Sequence, residues 1–274
     1  MFPFAYSLLT DPITGKTDSV LARCEASGTT PKIMEINDSN SWWFKNASLS
    51  ITAPDGSRDL DDPASVRFYL LSSVPHAVGK GRGFCEQIQN PVSPGPALRA
   101  LLTAMIDWVV VGKEPPPSNV PRLWDGTLVE PSSQAAVGFP TIPGVNYNGA
   151  ANVRELFDYG PEFERGIISR VPPVPTGRAY VTLVPKTDQD GIDIAGIKLP
   201  DIAVPIGTYT GWNPLAQASK DESSAMGSFI PFTLTRAECV PRAISGGRCK
   251  SATARIADTW IWFGRHQNVS SRKD

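Results

Sequence analysis

The chain has 274 residues, of which 26 are proline and 23 glycine, so much of it must be irregular. Lysine and arginine number 26 against 27 aspartate and glutamate residues, which leaves a net charge of −1. This balance argues against function through a basic patch, and we predict neither nucleic acid nor an anionic membrane surface as a partner.

Helices and strands are predicted to alternate in the first 113 residues. We expect a short helix over residues 19–27, a strand over 31–36, an aromatic-rich helix over 41–49, a strand over 66–71 and a helix over 96–112. Strands that alternate with helices are usually parallel. The predicted fold class is therefore α/β, a partial parallel sheet with flanking helices.

The helix over 96–112 is the element with the clearest period. Its apolar residues are spaced three and four apart and predict one buried face, formed by Leu98, Leu101, Leu102, Met105, Ile106, Val109 and Val110. Because Arg99 and Asp107 interrupt this stretch, it is not a membrane span. The N-terminus has Pro3 and no basic residue before Lys16, so no signal peptide is predicted either.

The remaining chain divides into two segments by composition. Residues 114–235 are rich in proline and predict an irregular arm that packs on the core of residues 1–113, with short strands at 179–184 and 201–206. Residues 236–274 hold eight basic and three acidic residues and predict a divergent, loosely attached tail.

The four cysteines do not predict a metal site. Cys24, Cys85, Cys239 and Cys249 are far apart and form no C-x-x-C pair, and the chain has only two histidines. Buried thiols are the simplest interpretation, although one or two disulfides are also compatible with this spacing. We predict neither a metal nor another cofactor.

His76 is the residue that best suits catalysis. It follows the second predicted strand in a glycine-rich loop, and open α/β sheets place reactive groups at the carboxyl ends of their strands. Imidazole can take a proton from a hydroxyl near neutral pH and return it to a leaving group. The alternative is a loop histidine with only a structural hydrogen bond.

Asp38 follows the first predicted strand and could orient that imidazole. A carboxylate and a histidine in this order match the second half of a nucleophile, acid and histidine arrangement. The alternative is that Asp38 only caps the helix that follows it.

The nucleophile of such an arrangement is missing from the pattern. A serine elbow has the form G-x-S-x-G, and the only glycine pairs four apart, Gly79 with Gly83 and Gly207 with Gly211, have Gly81 and Tyr209 at their centres. In this order the nucleophile precedes the acid, so we expect it N-terminal to the chain.

Many short motifs between about residue 2 and residue 235 together resemble a bacterial family of α/β-hydrolase-domain proteins, in its C-terminal part. Among them are Thr10–Asp18, Trp42–Trp43, Leu98–Trp108, Asp125–Leu128 and Gly207–Asn213. The resemblance implies an esterase-like or lipase-like hydrolase. It makes His76 the catalytic histidine, and it places Ser41 where the family tends to have a glutamate, which leaves Asp38 as the candidate acid.

Three further residues are candidates for substrate binding. Tyr209 and Trp212 form a dense aromatic motif that could line a pocket, or could instead anchor the proline-rich arm by packing. Arg82, in the His76 loop, could bind a carboxylate or be an ordinary exposed arginine.

Two functions follow from these observations. The first is a carboxylic ester hydrolase that uses serine, acid and histidine on a small-molecule or polymeric ester, with the nucleophile supplied by a complementing N-terminal portion or a separate polypeptide. The second is a non-catalytic fragment or partner-binding module whose proline-rich arm contacts a partner chain, with an exposed sheet edge that drives self-association. A weaker third option makes Cys85 the nucleophile.

Overall fold

The protein is described here by a computed structural model that covers residues 2–216 and 225–232. The strands are β1 (Leu9–Thr10), β2 (Thr17–Asp18), β3 (Ile33–Asp38), β4 (Val66–Leu71), β5 (Ile88–Gln89), β6 (Leu128–Val129), β7 (Arg154–Asp158), β8 (Val174–Tyr180), β9 (Val184–Pro185), β10 (Gly207–Thr210) and β11 (Ser228–Pro231). The helices are α1 (Ala22–Ala26), α2 (Ser39–Phe44), α3 (Gly95–Val110), α4 (Gln134–Val137) and α5 (Pro200–Ala203), with 3₁₀ turns at Ala47–Ser50 and Phe163–Arg165.

Strands β3 and β4 form the parallel pair that the sequence predicts. They align from Ile33 opposite Val66 to Asp38 opposite Leu71, so both strands finish at the same edge. The other described sheets are small and antiparallel: β1–β2, β6–β9, β7–β8 and the three-stranded β10–β11–β5. Parallel pairing in the described fold thus consists of β3 with β4 and two isolated bridges from β4, Tyr69 to Asn119 and Leu71 to Ile197.

Strand β4 lies in the centre of the core. Because successive side chains of a strand point to opposite faces, Phe68 and Leu70 join one buried cluster, with Trp42, while Leu71 joins another, with Ala97 of α3. The first cluster also includes Val120 and other apolar residues from the proline-rich region. Backbone hydrogen bonds with Asn119 and Ile197 cover the edge of β4 that faces away from β3.

No described strand pairs with the opposite edge of this sheet, which belongs to β3. Within the described residues β3 pairs only with β4, and all six of its side chains are half-buried rather than buried. Such an edge presents unpaired backbone donors and acceptors.

Helix α3 forms where the sequence predicts it, but the predicted buried face is only partly buried. Leu101 and Trp108 pack inward, together with Ala97, whereas Leu102 is 61% exposed. Leu98, Ile106, Val109 and Val110 are exposed as well. The apolar residues of α3 cover a wider part of its surface than the neighbouring described residues bury.

Two other element predictions need correction. Residues 201–206 do not form a strand, because Pro200 starts the short helix α5 and β10 begins only at Gly207. The predicted helix over 41–49 is divided, because Asn46 adopts a left-handed conformation (φ 55°) between α2 and the 3₁₀ turn that follows.

The division into residues 1–113, 114–235 and 236–274 stays a prediction, and the tail lies outside the described residues. No described helix has the length and apolar character needed to cross a membrane.

Candidate active site

Asp38 and His76 meet at the shared carboxyl edge of β3 and β4. Asp38 is the last residue of β3, and His76 lies in the loop that leaves β4. Oδ2 of Asp38 is 3.0 Å from Nδ1 of His76. The carboxylate side chain is 16% exposed and the imidazole 48%, so the carboxyl is sheltered while one side of the ring remains accessible.

Asp38 also begins helix α2. Its Oδ1 accepts hydrogen bonds from the backbone N–H of Ser41 at 2.7 Å and from the Ser41 hydroxyl at 3.0 Å. One oxygen therefore caps the helix and the other faces His76. The two interpretations of Asp38, as a helix cap and as the partner of the imidazole, are geometrically compatible.

A buried contact fixes the loop that carries His76. Ser73 adopts a left-handed conformation (φ 54°), which is strained for a residue other than glycine. Its backbone N–H donates to Oδ2 of Asp193 at 2.7 Å, and its hydroxyl accepts from the Asp193 N–H at 2.9 Å. The side chain of Asn90 donates to the Ser73 carbonyl at 2.9 Å. These bonds hold the turn three residues before the imidazole.

Asp193 is a buried carboxyl that sequence reasoning missed. Burial raises its pKa to about 6, against the opposing effect of the Ser73 N–H. Its only signal in the sequence is a position in an acidic turn 117 residues beyond His76, which gave no reason to place it beside this loop.

Lys45, at the C-terminus of α2, was also missed. Its Nζ lies 3.0 Å from Nδ1 and 2.9 Å from Nε2 of His76. When Nδ1–H donates to Asp38, Nε2 carries the lone pair and can accept a hydrogen bond from the ammonium. The ammonium of Lys45 therefore lies against the imidazole, at nearly the same distance from both ring nitrogens.

Lys45 also forms part of the wall of a cavity of about 340 Å³. Its other polar lining residues include Glu35, Asn37 and Arg154, and its apolar lining includes Phe4 and Leu49. Glu35 also lies close to Tyr6, outside the lining: burial, and then this carboxylate, raise the pKa of Tyr6 well above its usual range.

Comparison with known proteins identifies the family. A family model described as "Alpha/beta hydrolase domain" matches residues 7–239, which is most of the chain. The chain belongs to this alpha/beta hydrolase family. No curated protein and no solved structure matches it significantly.

No nucleophile of this alpha/beta hydrolase contacts the imidazole in the part that the structure describes. The polar contacts of His76 there are those with Asp38 and Lys45, and the hydroxyl of Ser41 donates to Asp38 instead. Cys85 is buried, and its Sγ lies 3.9 Å from Nε2 of Gln89. Among residues 2–216 and 225–232 no group of three or more metal-ligating side chains is close enough to hold a metal ion.

The candidate substrate-binding residues of the hydrolase chain lie in different surroundings. Tyr209 is buried beside Phe229, with ring centroids 4.9 Å apart. Trp212 is buried in an aromatic cluster with Trp43, at 6.0 Å, and Phe139, at 5.0 Å. Arg82 is exposed in the His76 loop. The contacts of Tyr209 and Trp212 are those of packing residues, and a role in binding substrate stays a prediction for all three.

Proposed function

We propose that this chain provides the acid and the histidine of a carboxylic ester hydrolase. The observation that supports the proposal is the contact of 3.0 Å between Asp38 and His76 at the edge where two parallel strands end. The ring is half-exposed, so a second reactant could reach Nε2 once the flexible Lys45 side chain moves away from it. The sheltered carboxylate would hold the ring in one tautomer and stabilise its charged form.

In this proposal the serine and the oxyanion donors come from a separate polypeptide or from another portion of the gene product. As the serine oxygen bonds to the carbonyl carbon of the ester, Nε2 of His76 takes the hydroxyl proton. His76 then gives this proton to the alcohol oxygen as the carbon–oxygen bond breaks. Water repeats the sequence on the acyl-enzyme and releases the carboxylic acid.

The test compares the purified 274-residue chain with the assembly that a tagged copy forms in its natural cells. On p-nitrophenyl butyrate the chain alone should show almost no turnover and no labelling by a fluorophosphonate, because no serine contacts His76 among the described residues. The assembly should hydrolyse the ester and be labelled at a serine outside residues 1–274.

The matched variants are His76→Ala and His266→Ala, which remove the only two histidines. We expect His76→Ala to abolish hydrolysis by the assembly and His266→Ala to leave it unchanged. Robust turnover by the chain alone that is lost in His76→Ala would show that the nucleophile lies within the chain, and the proposal would then be wrong on that point.

A second candidate function is a partner-binding module without catalysis of its own. The open edge of β3 and the exposed apolar residues of α3, such as Leu102 and Ile106, favour it. We propose that the occupant is the complementing portion of the hydrolase, which would add a strand to β3 and cover α3. Without that portion, the chain should self-associate through the same surfaces.

Size-exclusion chromatography with light scattering tests this second candidate. The purified chain should elute as dimers or larger species, and Leu102→Glu with Ile106→Glu should shift it toward the monomer. A compact monomer that binds no hydrophobic dye would argue against a partner-binding role.

A further inference from the structure

The cavity that Lys45 lines has both a charged and an apolar part. Lys45 and Arg154 contribute cationic groups, and Phe4 and Leu49 contribute apolar surface. With a volume of about 340 Å³, it is near the lower end of the range for small-molecule sites. It therefore suits a small ligand with one polar and one apolar end.

The positive charges of the cavity are not balanced by ion pairs. In the described part of the chain, neither Lys45 nor Arg154 forms a salt bridge; the Arg154 guanidinium lies 5.9 Å from the ring centroid of Phe4. Glu35, the only carboxylate of the lining, accepts a hydrogen bond from Asn37 at 2.8 Å. Within the described lining alone, Lys45 and Arg154 against Glu35 leave one positive charge, which a monoanion would neutralise.

Lys45 connects this cavity with the imidazole. Its Nζ lies 2.9 Å from Nε2 and 3.0 Å from Nδ1 of His76, so the ammonium is in contact with the ring. An anion in the cavity would offer the ammonium a partner of opposite charge. Since the lysine chain is flexible, the ammonium could then leave the ring and free Nε2.

We propose that the cavity binds the carboxylate of a short-chain acid between Lys45 and Arg154, and that binding withdraws Lys45 from His76. The apolar end of the ligand packs toward Phe4 and Leu49. The choice of a carboxylic acid rests on the proposed function, since ester hydrolysis releases such an acid next to His76. Binding itself needs no nucleophile and can be measured on the chain alone.

The experiment titrates butyrate into the purified 274-residue chain labelled with ¹³C in its histidine rings. The chain has two histidines, and the His76→Gln variant assigns the signals of His76. We expect butyrate to shift the His76 ring signals saturably at millimolar concentration while those of His266 stay in place. Neutral butyramide, which has nearly the same shape, should leave both unchanged.

Two variants and a matched control test whether Lys45 and Arg154 bind the carboxylate. Lys45→Gln and Arg154→Gln should each weaken butyrate binding by roughly tenfold, since each loses a charge-assisted hydrogen bond. Lys113→Gln removes the same charge from the wall of another cavity, where Lys113 already pairs with Asp107 at 3.2 Å, and should bind as the unmodified chain does. Far-UV circular dichroism confirms that the variants are folded.

Several results would overturn the site: no saturable shift with butyrate, equal binding of butyramide, tighter binding of inorganic phosphate, or unchanged binding in Lys45→Gln. The test is separate from that of the proposed function. If the assembly binds butyrate but hydrolyses no ester, the binding site is supported and the proposed hydrolase function is wrong. If it hydrolyses the ester but does not bind butyrate, the hydrolase function is supported and the binding site is wrong.

Discussion

Ser73 and Asp193, 120 residues apart in sequence, hold each other through two hydrogen bonds. The Ser73 N–H donates to the Asp193 carboxyl, and the Asp193 N–H donates to the Ser73 hydroxyl. This contact keeps Ser73 in a conformation that serine rarely adopts, and the turn it fixes leads directly to His76. The position of the imidazole thus depends on a buried residue that does not touch it.

The charge of Asp193 should make stability depend on pH. Because burial raises its pKa from 3.8 to about 6, the folded state favours the protonated form. The contribution of protonated Asp193 to the free energy of unfolding is fully present at pH values below the unfolded pKa of about 4. It is lost as the pH rises through about 6, a total change of about 3 kcal/mol. Asp193→Asn keeps an oxygen for the Ser73 N–H but does not ionise.

Urea unfolding at pH 4 and pH 7 measures this effect. The stability of Asp193→Asn relative to the unmodified chain should increase by about 2 kcal/mol between these two pH values, since part of the change falls below pH 4. Parallel pH profiles for the two proteins would contradict a raised pKa of Asp193.

Substitutions of Asp38 separate its two contacts. Asp38→Asn should stay within about 0.5 kcal/mol of the unmodified stability, because asparagine also caps helices, whereas Asp38→Ala should cost about 1 kcal/mol. Both variants should lower kcat of the active assembly by roughly a thousandfold or more, because the imidazolium loses its carboxylate. Urea unfolding and p-nitrophenyl butyrate hydrolysis give the two readouts. An Asp38→Asn variant with unchanged activity would mean that Asp38 only caps α2 and has no catalytic role.

Neighbouring leucines of α3 test which side of the helix packs. Leu101 is 6% exposed and Leu102 is 61% exposed. Leu101→Ala should therefore destabilise the protein by about 2–4 kcal/mol, as expected for a buried truncation, and Leu102→Ala by less than about 0.5 kcal/mol. Thermal or urea unfolding of the two variants provides the comparison, and equal losses would mean that α3 is rotated from the orientation described above.

Gly211 lies against the beginning of α2, and a side chain there should be costly. A Cβ at this position would come within 2.5 Å of the Asn40 backbone nitrogen and the Ser39 carbonyl carbon. Gly211→Ala should destabilise the protein by about 1–3 kcal/mol, because backbone atoms must shift. At Gly28 a Cβ meets nothing within 4 Å, so Gly28→Ala pays only for its positive φ (67°), about 1 kcal/mol. Similar losses in urea unfolding would contradict the close approach.

The elements around Asp38 and His76 could be predicted because local patterns define them. The apolar, β-branched and aromatic run of β4 is bounded by polar residues, and α3 has a proline near its start and glycine after its end. Their alternation predicts parallel strands, which bring the ends of β3 and β4 to one edge. The contact between Asp38 and His76 follows from that topology.

Other contacts could not be predicted because they join distant segments. Nothing near Asp193 in the sequence points to Ser73, and Lys45 has no signal beyond its place after an aromatic-rich helix. The outward side of α3 was mispredicted for a related reason. Periodicity gives the width of an apolar stripe, but only the neighbouring elements decide how much of it is covered.

Asp38 divides its two carboxylate oxygens between the first turn of α2 and the imidazole of His76. Fraying of that turn would free the side chain to rotate and would separate acid from base in the same event. The contact between Asp38 and His76 therefore depends on the six residues of α2 staying helical. The NMR chemical shifts of the His76 ring should report unfolding of that helix.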